Sequence, residues 1–300
     1  MRFGISACVL ILAATLASAQ QPGAPAQFSR EWYRQFSGPY SQPVEPFRIV
    51  ANIHYVGAAN IASYLITTPQ GHILIDTGMT EMHDVIKNNV ATLGFRIADV
   101  RIMLSSHAHF DHIEGHAAMQ RLTGARVMAM EGDAQALESG KDTSALGANG
   151  WEPVRVNRVL RNGDTVSLGG TTLRAIHAAG HTQGATTWMT NVEDQGRRVA
   201  VAFLGGTTPN NGVSLFGNPR HRTVVEDTRR TFQRLKAEKQ PDIVLVGHPQ
   251  AMFKGKVDLL RSGAMPHPLL NGAEVWTKAL TAGEATFEKR VAAERAKTGR

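Results

Sequence analysis

Residues 107 to 112 read His-Ala-His-Phe-Asp-His, which places four groups able to bind a metal within six positions. The hexapeptide closely follows the apolar run Val100-Arg101-Ile102-Met103-Leu104. A strand running into a loop presents His107 and His109 at period two, and the loop can then turn Asp111 and His112 toward a second point. Imidazole nitrogen and carboxylate oxygen together suit Zn²⁺. Four such groups, crowded this closely, serve two ions more naturally than one. The chemistry they point to is hydrolysis at a dinuclear zinc centre.

Two further histidines stand where apolar segments end. Ala179-Gly180-His181-Thr182 follows a strand expected over 171–178, and Val246-Gly247-His248-Pro249 follows one expected over 243–246. The glycine before each permits a tight turn that aims the ring into a cleft. A single Gly-His pair is ordinarily a surface or core histidine. Two of them, both at strand ends and both after the hexapeptide, favour a shared metal site over scattered structural histidines.

Such a site needs a scaffold whose strands end in one place. Short apolar segments at 47–50, 53–57, 61–68 and 72–75 read as antiparallel strands between Asn and Gly turns, and 101–106 reads as a buried strand. Helices are expected over 80–93, 113–122 and 132–139, with a strand at 126–130. Further strands fall near 156–160, 164–168, 171–178, 185–192 and 198–204. Val224, Val225, Thr228, Phe232 and Leu235 are spaced for a helix over 222–238. Helices at 255–262 and from about 272 to the end close the chain. Strand blocks that each finish with helices imply two α/β halves packed sheet to sheet, with helices outside. No linker divides them. A single domain over residues 47–300 is expected, preceded by an irregular arm at 20–46 that carries Trp32, Tyr33, Phe36 and Tyr40.

The 300-residue chain is long enough for a large core. Arg2, the apolar run from Ala7 to Leu16 and Ala17-Ser18-Ala19 have the layout of a secretory signal over 1–19, cleaved after Ala19. That run is too short to span a bilayer, so release into the periplasm without a membrane anchor is expected. Cys8, the one cysteine, leaves with the signal, so neither a disulfide nor a thiolate ligand remains. Loss of Arg2 lowers the formal charge from +7 to +6. The basic residues are dispersed and no aromatic-plus-basic nucleic-acid motif stands out. A monomer acting on a small molecule is expected.

Asp76 in Ile75-Asp76-Thr77-Gly78, the His-x-His-x-Asp-His run, Gly180-His181 and Gly247-His248-Pro249 resemble the metallo-β-lactamase superfamily in order and spacing. Within it the chain is most similar to class B, subclass 3 β-lactamases. The resemblance runs from about Pro46 to Lys278 and takes in Tyr55-Val56-Gly57, Thr123-Gly124-Ala125 and Gly217-Asn218-Pro219-Arg220. It implies an αββα four-layer sandwich with a two-zinc cleft along one edge. It further implies that His107, His109 and His181 bind the first zinc, and Asp111, His112 and His248 the second. Asp76 then supports the site without binding metal.

Leu204-Gly205-Gly206-Thr207-Thr208-Pro209-Asn210-Asn211 departs from neighbouring branches. Glyoxalase-type relatives place a metal-bridging aspartate here, and other β-lactamase subclasses a cysteine. Neither is present, which favours the third subclass, although some of its members carry Asp-Ser around Gly206-Thr207.

The resemblance implies zinc-dependent hydrolysis of the β-lactam amide of penicillins, cephalosporins and carbapenems by a metal-bound hydroxide. Asp111 would assist with a hydrogen bond and a proton for the departing nitrogen. Thr207, Thr208, Asn210 and Asn211 are candidates to bind the substrate carboxylate, although the same run is also a good turn. His116, one helical turn after His112, reads as a supporting or surface histidine, and Glu114 has no functional account. Competing readings are another dizinc hydrolase of this fold, such as a lactonase or thioester hydrolase, and a non-catalytic exported zinc binder. Ligands spread over about 140 residues converge only by folding, which suits an open catalytic site.

Overall fold

Alternation along the strands decides which layer each residue meets. The computed structural model describes residues 29–32 and 38–298, so the expected signal segment lies outside the described residues, as do Tyr33 and Phe36. In β4 (Gly71–Ile75), Ile73 and Ile75 enter one core while Leu74 enters another on the opposite face. In β5 (Val100–Leu104), Ile102 and Leu104 separate from Met103 in the same way. Strands apolar on both faces are covered on both.

The first sheet has seven strands in chain order: β1 (Phe47–Val50), β2 (Ile53–Tyr55), β3 (Tyr64–Thr68), β4, β5, β6 (Arg126–Met130) and β7 (Val156–Leu160). Pairing is antiparallel from β1 to β4 and parallel from β4 to β7. The second sheet contains β8 (Thr165–Leu168), β9 (Thr171–His177), β10 (Thr186–Asp194), β11 (Arg197–Leu204) and β12 (Ile243–Val246). Its pairs are antiparallel except β11 with β12.

Tyr55, Ile73, Leu104, Trp188, Phe203 and Leu245 belong to the core between the sheets. Four helices cover the outer face of the first sheet: α1 (His83–Thr92), α2 (Phe110–Ile113), α3 (His116–Thr123) and α4 (Glu131–Ser139). Beyond β11, the helices are α5 (Val224–Ala237), α6 (Gln250–Phe253), α7 (Val257–Arg261) and α8 (Gly272–Thr298). Phe232 of α5 and Trp276, Leu280 and Phe287 of α8 pack with Ile176, Ala202 and Val244 on the outer face of the second sheet. This is the four-layer αββα arrangement expected from the sequence. Among the described residues, no helix is long and apolar enough to cross a membrane.

Two elements near the metal-binding motif differ from the expected bounds. β5 stops at Leu104 because the next carbonyls pair with the other sheet: Ser105 O accepts Trp188 Nε1–H at 3.0 Å and Ser106 O accepts Thr186 N–H at 2.7 Å. The helix expected over 113–122 is two pieces, with α2 starting inside the hexapeptide and α3 starting at His116. Between them Gly115 passes so close to Thr77 that a Cβ would lie 2.9 Å from the Thr77 carbonyl oxygen.

Candidate metal centre

β9 and β11 both run antiparallel to β10, and β12 runs parallel to β11, so three strands of the second sheet share a direction. In the first sheet β4 and β5 are parallel. The candidate residues follow the C-terminal ends of these strands: Asp76 after β4, the hexapeptide after β5, His181 after β9 and His248 after β12. Besides the Ser105 and Ser106 contacts, Ala62 N–H donates to Gly247 O at 2.9 Å and Tyr64 Oη to Val246 O at 2.7 Å. These bonds fasten the two sheets where the site forms.

His107, His109 and His181 gather with ring centroids 4.5 to 4.9 Å apart. Beside them Asp111 Oδ2 lies 3.3 Å from His112 Nε2 and 3.4 Å from His248 Nε2. Within each group, one potential ligand atom per residue lies within 4.8 Å of the others. The groups adjoin, with the His107 and His112 centroids 4.2 Å apart.

Each ring has one nitrogen engaged by the protein. His107 Nδ1 is 3.0 Å from Ser106 Oγ, and His109 Nε2 is 3.1 Å from Ser144 Oγ. His181 Nδ1 donates to Thr208 O, and His248 Nδ1 to Asn60 O, each at 2.7 Å. His112 Nδ1 donates to Asp76 Oδ2 at 3.1 Å. A ring that donates from one nitrogen can offer the other as a metal ligand. His112 Nε2 is buried without a hydrogen-bond partner, as expected of an atom placed for a metal. Five imidazoles and one carboxylate, with no sulfur, form a donor set that fits zinc.

Burial lowers His109 to about 4 and, helped by neighbouring His109, His181 to about 3. His107 is pushed well below its ordinary value by burial and the surrounding histidines. All three are therefore neutral, as ligating imidazoles must be. Burial also acts to lower His112, but the Asp111 and Asp76 carboxylates outweigh it and raise the ring to about 10. Asp111, which burial alone would raise, is held well below the usual carboxylate range by His112 and His248.

Asp76 adopts a left-handed φ of 60°, a strained conformation for a residue with a side chain. The turn lets its carboxylate accept Ser106 N–H and Ser106 Oγ, each at 2.7 Å, as well as His112. It belongs to neither group, bonding His112 directly and reaching His107 through Ser106. Gly180 has φ +142°, which a side chain rarely adopts. Gly247 serves close approach, since a Cβ there would lie 2.8 Å from His112 Cε1.

The two groups line a cavity of about 490 Å³ together with Trp32, Tyr40, Asn60, Thr207 and Asn210. Of the four candidate substrate-binding residues, Thr207 and Asn210 line it. Thr208 turns its carbonyl to His181, and Asn211 is exposed and outside the lining. His116 is buried against Thr77 Oγ1 at 2.7 Å and belongs to neither group. Glu114 now has a contact role: it pairs with Arg30 and accepts Thr80 N–H at 3.0 Å. Arg30 lies two residues before Trp32 and also donates to Gly150 O at 2.9 Å, so the pairing fastens this part of the arm beside the cleft.

Asp133 escaped the sequence reading. Its buried carboxylate accepts Ala108 N–H, Thr182 Oγ1 and Gly184 N–H, each at 2.7 Å. Ala108 lies between His107 and His109, and Thr182 follows His181, so one side chain ties together both loops of the three-histidine group. The available signal was Glu131-Gly132-Asp133 opening a helix straight after a strand. At Gly132 a Cβ would lie 2.2 Å from the Gln183 backbone, which shows how tightly α4 meets the His181 loop.

The chain belongs to the metallo-beta-lactamase superfamily, whose family model matches residues 56–248. Its solved relatives extend the likeness to subclass B3 over nearly the whole fold. FEZ-1 metallo-beta-lactamase from Legionella gormanii superposes with a TM-score of 0.80 at 32% identity, over 86% of this chain and 99% of that one. BJP-1, a subclass B3 metallo-beta-lactamase of Bradyrhizobium japonicum, gives 0.80 at 35% identity, over 87% and 99%. LRA-12, a class B3 di-zinc metallo-beta-lactamase from an Alaskan soil metagenome, gives 0.78 at 30%, over 84% and 96%. By sequence, a probable metallo-hydrolase of Burkholderia pseudomallei (strain 1710b) is 30% identical over 131 residues, 43% of this chain and 44% of that protein. The chain spans less than half the length of the curated relatives it matches.

Proposed function

We propose that this protein hydrolyses the β-lactam amide bond of penicillins, cephalosporins and carbapenems, using two zinc ions per chain. The observation that carries the reading is the paired donor set on one open cleft, in a chain whose solved relatives are metallo-beta-lactamases. His107, His109 and His181 would hold one ion, and Asp111, His112 and His248 the other. Zinc bound there supplies Lewis acidity toward a carbonyl and makes a nucleophile of water at neutral pH.

The protein's own groups account for orientation and proton handling. Asp76, Ser106, Ser144 and the carbonyls of Asn60 and Thr208 fix the ring planes. Asp111, ionised before reaction, can accept a proton from the attacking water and pass it to the lactam nitrogen as the C–N bond breaks. Thr207 Oγ1 and the Asn210 amide offer hydrogen bonds to a substrate carboxylate. Trp32 and Tyr40 give the cleft an aromatic wall for an apolar part of the substrate. In this reading the catalytic domain spans 47–300 behind the arm at 20–46, and export to the periplasm removes residues 1–19.

The test is hydrolysis of nitrocefin and meropenem by the mature protein, with zinc and then with EDTA, alongside His107→Ala and Asp111→Ala. EDTA-sensitive turnover lost in both variants is expected. A protein that holds two zincs and leaves both substrates intact overturns the β-lactam reading, and lactones and thioesters become the substrates to screen.

A further inference from the structure

The loop between β11 and α5 brings Thr207 and Asn210 to the cleft without the support of a sheet ladder. Its backbone groups must find partners elsewhere. Several of them find partners on α8. Arg290 Nη1 donates to Pro209 O at 3.0 Å and Asn210 O at 2.9 Å, and Nη2 donates to Val213 O. One turn further along the helix, Glu294 Oε1 accepts Leu215 N–H at 2.7 Å and Phe216 N–H at 3.2 Å. Residues four apart share a helix face, so the two side chains grip the loop from one surface.

We infer that Arg290 and Glu294 are positioning residues that set the lip of the cleft against which substrate binds, an inference that rests on the proposed function. Arginine suits the task because its planar fork can hold several carbonyls at fixed angles. The loop is fastened by packing as well, since Leu215 is buried in the same apolar cluster as Phe287 and Val291 of α8. Asn210 Oδ1 is buried with no hydrogen-bond partner while the Asn210 carbonyl is tied to Arg290. The backbone at Asn210 is thus held in place where its residue lines the cleft. The clamp lies beyond residues 56–248, the part of the chain that the family model matches.

The test compares the zinc-loaded full chain with Arg290→Ala and Glu294→Ala, and with Arg290→Lys and Glu294→Gln. Three readouts are taken: nitrocefin kinetics, bound zinc, and hydrogen exchange over residues 207–216. Both alanine variants are expected to exchange faster there, to keep two zincs, and to raise KM about tenfold with kcat much less affected. Glu294→Gln, which keeps an acceptor oxygen, is expected to restore most of the loss. Arg290→Lys, a single ammonium that cannot span three carbonyls, is expected to restore little. Unchanged KM and exchange in both alanine variants overturns the inference, and so does zinc loss with KM unchanged. If Arg290→Ala does not fold, Glu294→Ala and Arg290→Lys decide by the same criteria. If the wild-type chain leaves nitrocefin intact, the proposed function fails. Exchange then judges the clamp alone, with faster exchange supporting it and unchanged exchange overturning it.

Discussion

Asp76 Oδ2 and His112 Nδ1 lie 3.1 Å apart, both buried, and the same carboxylate also takes two donors from Ser106 beside His107. Three donors thus converge on one side chain that stands behind both ligand groups. Asp76→Asn keeps the volume but has a single acceptor oxygen, so at least one donor loses its partner. Zinc affinity is expected to fall about 10- to 100-fold, the usual effect of losing such a support. Chelator competition measures it, and wild-type affinity in the variant would remove Asp76 from the site.

Asp133 makes a second prediction. The carboxylate bridges Ala108, Thr182 and Gly184, and burial raises its pKa despite those donors. Asp133→Ala leaves buried N–H groups unpaired on both loops, at a cost of about 1–3 kcal/mol each. Thermal unfolding of the zinc-free protein should drop by several degrees, and the three-histidine group should bind zinc more weakly. A variant that melts lower but keeps wild-type zinc affinity would show that Asp133 supports the fold without orienting the histidines.

The difference between what the sequence disclosed and what it hid follows the range of the interactions. Strands such as 126–130 and 243–246 were legible to the residue because a short continuous apolar run is a local signal. The candidate ligands were legible because four of them occupy one hexapeptide and the other two follow glycines. β5 was read two residues too long because its end is set by Trp188 and Thr186, more than 75 residues away. The partners of His181 and His248 are backbone carbonyls, of Thr208 and Asn60, which leave no side-chain signal. Asp133 and Arg290 act on segments distant in sequence, so only the folded chain reveals them. Thr208 and Asn211 could not be told from Thr207 and Asn210, because a turn's residue types do not say which side chains face the cleft.

Gly206 carries a steric prediction. A Cβ there would lie 2.4 Å from Cγ and Cδ2 of the His181 ring. Gly206→Ala is therefore expected to displace the His181 ring, and a misplacement of about 1 Å costs about a hundredfold in rate. Gly247→Ala, whose Cβ would meet His112 Cε1 at 2.8 Å, should cost less. Zinc per chain and kcat in the two variants test the order. Equal kcat in Gly206→Ala and wild type would mean that the loop yields before the ring does.

His116 provides a pH dependence with a definite sign. Burial beside Thr77 holds the ring at about 4, against 6.5 when unperturbed. Between these values the unfolded chain binds a proton that the folded chain refuses, so stability falls as the pH drops from about 6.5 toward 4. The contribution is fully present above the upper value and lost below the lower one, on the order of 3 kcal/mol in total. His116→Gln cannot take up that proton. It is expected to be less stable than wild type at pH 7, where the Thr77 contact is disturbed, and to lose less on acidification. Urea midpoints for both proteins at pH values through this window give the comparison. The candidate ligand histidines are the same in both proteins, so their contribution cancels in the difference. A stability gap that stays constant with pH would show that His116 binds its proton as readily folded as unfolded.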